Sequence, residues 1–167
     1  VRKIPLENRA TEQKPSERHV PSHLREIDLR SQATIHFSSE DPAEPIEHML
    51  DGRSGPGASR WVSARPDTTE ELLIEFDEPQ CISHIAFEVE ESRVERTQQI
   101  LAECSSDRGA TFRQVFVQEY TFSPNGATYE YESLAVELRD VTHLRVLISP
   151  NKSGSGKASL TSLRLFS

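Results

Sequence analysis

Arg53, Arg93 and Arg96 stand in segments rich in glycine, proline, serine or charge, where each offers a planar guanidinium fork that matches vicinal hydroxyls, carboxylates or phosphates. Asn151 and Lys152 open a third polar segment, Asn151 to Lys157. Brought to one end of a rigid scaffold, these five side chains would recognise a polar ligand such as an acidic sugar or an acidic peptide. The commoner arrangement is that each arginine pairs with a neighbour, Arg93 or Arg96 with Glu91 or Glu95. Catalytic groups are sparser: His36, His48, His84, Asp51 and the acidic run Glu88, Glu90, Glu91, Glu95. On a strand Glu88 and Glu90 share one face, as a paired-carboxylate hydrolase requires, but a solvated acidic face is the usual reason for that spacing. His84, beside Ile85, reads as structural. His19 and His23, in the sequence HVPSH, lack the acidic or thiol partners of a metal site. No Gly-rich phosphate loop, nucleophile elbow or CxxC pair is present, so the expectation is a binding protein and not an enzyme.

Charge narrows the partner. Residues 1–30 hold seven Lys/Arg against five Asp/Glu, whereas residues 31–167 hold twelve against twenty-two, a net of -10. Duplex nucleic acid and anionic lipid bind through basic surfaces that release counterions, so nucleic acid is excluded as the expected partner and a membrane is disfavoured. The two cysteines, Cys81 and Cys104, allow one disulfide; Cys104 alternates with Ile100 and Ala102 and reads instead as a small buried thiol. No apolar run reaches the length of a signal-peptide core or a membrane span, which favours the cytoplasm as an expectation, with a leader removed before Val1 as the alternative.

A scaffold must position these residues, and 167 residues suffice for one core. Residues 1–30 carry Pro5, Pro15 and Pro21 and no sustained periodicity, so they read as a flexible arm, with at most a helical turn near Pro21 to Ile27. From Ser31 the pattern has period two: Leu72, Ile74 and Phe76; Ile85, Phe87 and Val89; Ile100, Ala102 and Cys104; Val115 and Val117; Leu134, Val136 and Leu138; Leu144, Val146 and Ile148; Leu163 and Leu165. Turn signals at Pro79-Gln80, Asp107 to Gly109, Ser123 to Gly126 and Pro150 to Gly156 separate them. With no crossover helices the strands pair antiparallel, and so many short half-apolar strands close only as a sandwich or barrel. Ser38 to Trp61 breaks the rhythm; Pro45 begins a short helix with Ile46, Met49 and Leu50 inward, and Asp51-Gly52 ends it.

An early strand Ala33 to Ser38, the Asp51-Gly52 turn, Trp61-Val62-Ser63, the pair LLIEFDEP and CISHIAFEVE, and the closing HLRVLISPNKSGSGKASLTSLRLF, in that order, resemble the discoidin family. That family is also described as coagulation factor 5/8 type C and, among carbohydrate-binding modules, as galactose-binding-like. The resemblance covers 31–167 and implies an all-β antiparallel jelly-roll sandwich of about eight strands, with Trp61 as a packing anchor. It implies a non-catalytic module that binds a carbohydrate or glycan, or else a partner protein, through loops at one end. It further implies a structural calcium that Asp51 would ligate. The last-strand acid of such a site is here Ser162 and Arg53 stands close by; calcium takes six to eight oxygens, so both changes weaken it.

Overall fold

A computed structural model describes residues 20–167. His19 and most of the expected arm lie outside the described residues. Eight strands follow a one-turn helix α1 (Leu29–Gln32): β1 (Ala33–Phe37), β2 (Trp61–Pro66), β3 (Glu70–Glu90), β4 (Arg96–Ser105), β5 (Arg113–Phe122), β6 (Tyr129–Gly154), β7 (Lys157–Leu160) and β8 (Ser162–Phe166). A 3₁₀ helix spans Ile46–Leu50, where the sequence places its short helix, with Ile46 and Met49 buried.

All pairings are antiparallel, in the order β1-β3-β6-β4-β5, with β8 on β3 and a separate β2-β7 ribbon. β3 serves both layers of the sandwich: Leu72 to Phe76 pair with β1, and His84 to Glu88 pair with β8. Across the core, Phe87 stacks on Phe116 at 5.5 Å and meets Tyr120 edge-on at 6.1 Å, both on β5. Trp61, Leu72, Ile74, Phe122, Leu144 and Ile148 are fully enclosed. The Trp61 indole N–H donates to the Ser39 carbonyl at 3.2 Å, so its polar edge is satisfied inside the core. Both cysteines are free thiols, Cys104 buried and Cys81 exposed.

Two sequence expectations are corrected. Pro79-Gln80 does not end a strand; β3 runs through it with register shifts between Glu75 and His84. A bulge lets a strand absorb a proline and bend, and that bend passes β3 from one neighbour to the other. β6 likewise joins the Leu134 to Leu138 and Leu144 to Ile148 segments through Asp140 at φ 53°. The arm, moreover, does not extend to residue 30. Arg25 exchanges two backbone bonds with Ser167, just past β8, at 2.9 and 2.8 Å, Ile27 N–H donates to the Leu165 carbonyl at 2.8 Å, and Ile27 and Leu29 are buried. Burial of two such side chains contributes about 1.5–3 kcal/mol each, enough to dock a segment this short. The expected helical turn is a single turn closed by Leu24 N–H to Pro21 C=O at 3.1 Å.

Candidate functional site

Strand register gathers several turns at one end of the sandwich. Arg96, first residue of β4, pairs with Phe122 and with Gly154, while Glu90 pairs with Tyr129. The turns 91–95, 123–128 and 151–156 therefore lie side by side, the first two joined by Glu91 N–H to Thr128 C=O at 2.8 Å. The 67–69 turn joins them: Asp67 accepts from Gly156 N–H at 2.8 Å and from the Ser155 hydroxyl.

Arg96 is not a surface ligand-binding residue. It is 1% exposed, its guanidinium donating to Glu91 at 3.0 Å, Gln98 Oε1 at 2.9 Å, the Pro150 carbonyl at 3.1 Å and the Ser159 hydroxyl at 3.3 Å. Burial by itself raises the Glu91 carboxyl, but the Arg93 amide and the Arg96 guanidinium outweigh it and hold it below its ordinary value. The alternative pairing of an arginine with Glu91 is thus the one Arg96 adopts. Alternation already carried the signal, since Arg96 and Gln98 share the parity of buried Ile100, Ala102 and Cys104. Two glycines make room for it: a Cβ on Gly154 (φ +76°) would lie 2.3 Å from the Glu95 carbonyl, and one on Gly156 would lie 2.8 Å from Arg96 Cδ.

Above this bonded base Arg93 and Lys152 are exposed, and neither side chain has a hydrogen bond or ion pair among the described residues. Asn151 donates to the Asp67 carbonyl at 3.4 Å, and Val94 is 41% exposed at the tip of its turn. Arg93, Asn151 and Lys152 thus share one end, whereas the expected cluster of Arg53, Arg93 and Arg96 does not form. Arg53 instead lines a flank cleft with Arg30, Met49, Ser162 and Arg164, which neither Arg93 nor Lys152 lines.

Glu88 and Glu90 do not form a solvated acidic face. Glu88 is 4% exposed and accepts from Gly55 N–H at 3.1 Å; Glu90 accepts from Gly57 N–H at 2.9 Å, and its carbonyl accepts from Arg60 at 3.1 Å. The covering turn comes from 33 positions earlier in the chain, so strand periodicity had no means of showing it. His36 pairs with Glu75, and His48 faces Glu44 and the Arg60 carbonyl.

The Asp51 carboxylate is engaged within its own turn. It accepts from Arg53 N–H at 2.8 Å and from the Ser59 hydroxyl, and the Arg53 guanidinium stands 3.9 Å away. Burial pushes this carboxyl up, but those two hydrogen bonds and the charge of Arg53 hold it below its ordinary value. Only hydroxyl oxygen is offered from Ser162, and no group of three or more His, Cys, Asp or Glu able to hold a metal occurs among the described residues.

No family model matches the chain, and no curated protein matches it in sequence. Solved structures do match in fold. The family 32 carbohydrate-binding module of NanJ from Clostridium perfringens, in complex with galactose, is 14% identical at a TM-score of 0.60, over 86% of this chain and 99% of that one. The module CBM32-3 from a family 31 glycoside hydrolase of the same organism is 17% identical at a TM-score of 0.62, over 84% and 94%. CpGH89CBM32-5, also from Clostridium perfringens and in complex with GalNAc-β-1,3-galactose, is 15% identical at 0.58, over 86% and 100%. The chain therefore has the fold of the family 32 carbohydrate-binding modules, the galactose-binding-like jelly roll of discoidin type.

Proposed function

We propose that this chain is a non-catalytic glycan-binding module that holds its sugar at the end formed by the 91–95 and 151–156 turns, with Arg93, Asn151 and Lys152 as contacts. The supporting observation is that it shares a fold over nearly the whole length of modules solved with galactose and GalNAc-β-1,3-galactose. Unpartnered Arg93 and Lys152 on a rigidly bonded base supply donors for sugar hydroxyls or an acidic substituent. Binding of galactose and GalNAc-terminated glycans, measured by calorimetry and on an array, tests this. Arg93→Ala with Lys152→Ala is expected to weaken binding by roughly tenfold, the loss of one charge-assisted hydrogen bond or more. Uniform blanks for the unaltered chain would remove the sugar, and full binding by the double variant would move the site elsewhere.

One observation favours a protein partner as a second reading: segments 38–60, 91–97 and 151–157 contain no Phe, Tyr or Trp, so they offer none of the broad ring faces on which a sugar would stack. Blanks on the array together with a partner captured through Arg93 and Lys152 would establish that reading.

A further inference from the structure

The flank cleft has a composition unlike the rest of the surface. It encloses about 290 Å3 between residues 26–30, the Met49 to Arg53 segment and the start of β8. That is close to the lower bound of about 300 Å3 for small-molecule sites, which suits a ligand about one ring in size. Leu29, Met49 and Leu163, all buried, give it an apolar wall. Three other grooves are roomier: those of about 430 and 500 Å3 both carry Asp77 and Glu78, and the arginine of the third, about 330 Å3, is Arg164, already paired with Glu26.

Within the cleft the two carboxylates and Arg164 are already engaged. Glu26 takes two hydrogen bonds from Arg164, at 2.9 and 2.6 Å. Asp28 accepts from the Ser31 hydroxyl at 2.7 Å and the Arg30 amide at 3.1 Å, which hold its carboxyl below the ordinary value. The guanidinium groups of Arg30 and Arg53 make no hydrogen bond among the described residues, and the nearest carboxylate oxygen to Arg53 is the 3.9 Å contact with Asp51. Ser162 is 5% exposed, lines the cleft and spends its hydroxyl on no partner among the described residues. Two guanidinium forks without a hydrogen bond among the described residues, that of Arg53 only 3.9 Å from Asp51, one unspent hydroxyl and an apolar wall are complementary to an anion on a small, partly apolar body.

We propose that this cleft is a second binding site, separate from the loop end, and that it takes a small organic carboxylate. The carboxylate lies between Arg30 and Arg53, and the ring or chain rests against Met49 and Leu163. A sugar acid and an aromatic acid present the same chemistry here, and the probes separate them. The chain, labelled with nitrogen-15, is titrated with D-glucuronate and with benzoate, and with D-glucose and benzyl alcohol as uncharged counterparts. Saturable shifts of the Gly52, Arg53 and Ser162 amides are expected with at least one acid, and none with either uncharged compound. Arg30→Ala with Arg53→Ala, two exposed positions whose loss leaves the core intact, is expected to weaken that binding roughly tenfold or more. No saturable shift with either acid, equal shifts with the uncharged compounds, or unchanged affinity in the double variant overturns the proposal. Galactose titrated in parallel reads the 91–95 and 151–156 amides, so failure of either site is seen independently of the other.

Discussion

Two turns of this sandwich are pinned by glutamates from one short stretch of chain, yet by different chemistry. The turn at 53–60 is held by Glu88 and Glu90, whose carboxylates accept from the Gly55 and Gly57 amides. The turn at 91–95 is held by Glu91, which pairs with an arginine that is itself buried beneath the loops. An amide that loses its carboxylate is a neutral group which water can satisfy. A buried guanidinium that loses its partner remains a desolvated charge. The first fastening is local and forgiving, and the second commits the whole end of the molecule, because Arg96 also reaches Pro150, Gln98 and Ser159.

The strongest way to break this contrast is Arg96→Leu. It strands Glu91 and takes a donor from three other acceptors, so we expect a loss of about 3–5 kcal/mol in urea unfolding. Its pH signature is distinct. The folded-state pKa of Glu91 lies below its unfolded value of about 4.3, so the stability it contributes is present above that pH and drains as the pH falls through the lowered folded value. In Arg96→Leu the acid-side loss should shrink; an unchanged acid limb would show that Arg96 does not set Glu91. Glu88→Ala should have the smaller effect of about 1–3 kcal/mol, with faster hydrogen exchange at the Gly55 amide. A loss equal to that of Arg96→Leu would erase the distinction between the two fastenings. The smallest expected effect is that of calcium. With amides and Arg53 occupying the carboxylates of the Asp51 turn, millimolar calcium and a chelator should give the same melting temperature, and a rise with calcium would restore a metal to that turn.

The core was legible because side chains alternate along a strand whatever their neighbours are, and this is why Cys104 and the Ile100 face came out as read, whereas Trp61 as a packing anchor rested on the family resemblance. The partners of the outward face were not, since they arrive from far along the chain. Glu88 meets Gly55 across 33 positions, and Glu26 meets Arg164 across 138. Arg96 falls between these cases: its parity pointed inward, but its charge and the adjoining turn suggested a surface role. Arg53 lines the flank cleft with Arg30 and Arg164, a placement hidden for a related reason, because composition identifies a loop but not the direction in which it folds. Continuity of β3 through Pro79 was hidden because a proline at a bulge and a proline in a turn look alike in sequence.

The docking of Arg25 on Ser167 has a mechanical consequence. These residues exchange both backbone hydrogen bonds, at 2.9 and 2.8 Å, in an antiparallel pair. Tension applied through the segment before Arg25 and through Ser167 therefore loads that pair first and then Ile27 with Leu165, one rung after another, in the manner of a zipper rather than a sheared sheet. The seam that yields first would release residues 26–30, which form one wall of the flank cleft, while the loop end at 91–95 and 151–156 carries no load until the seam has opened.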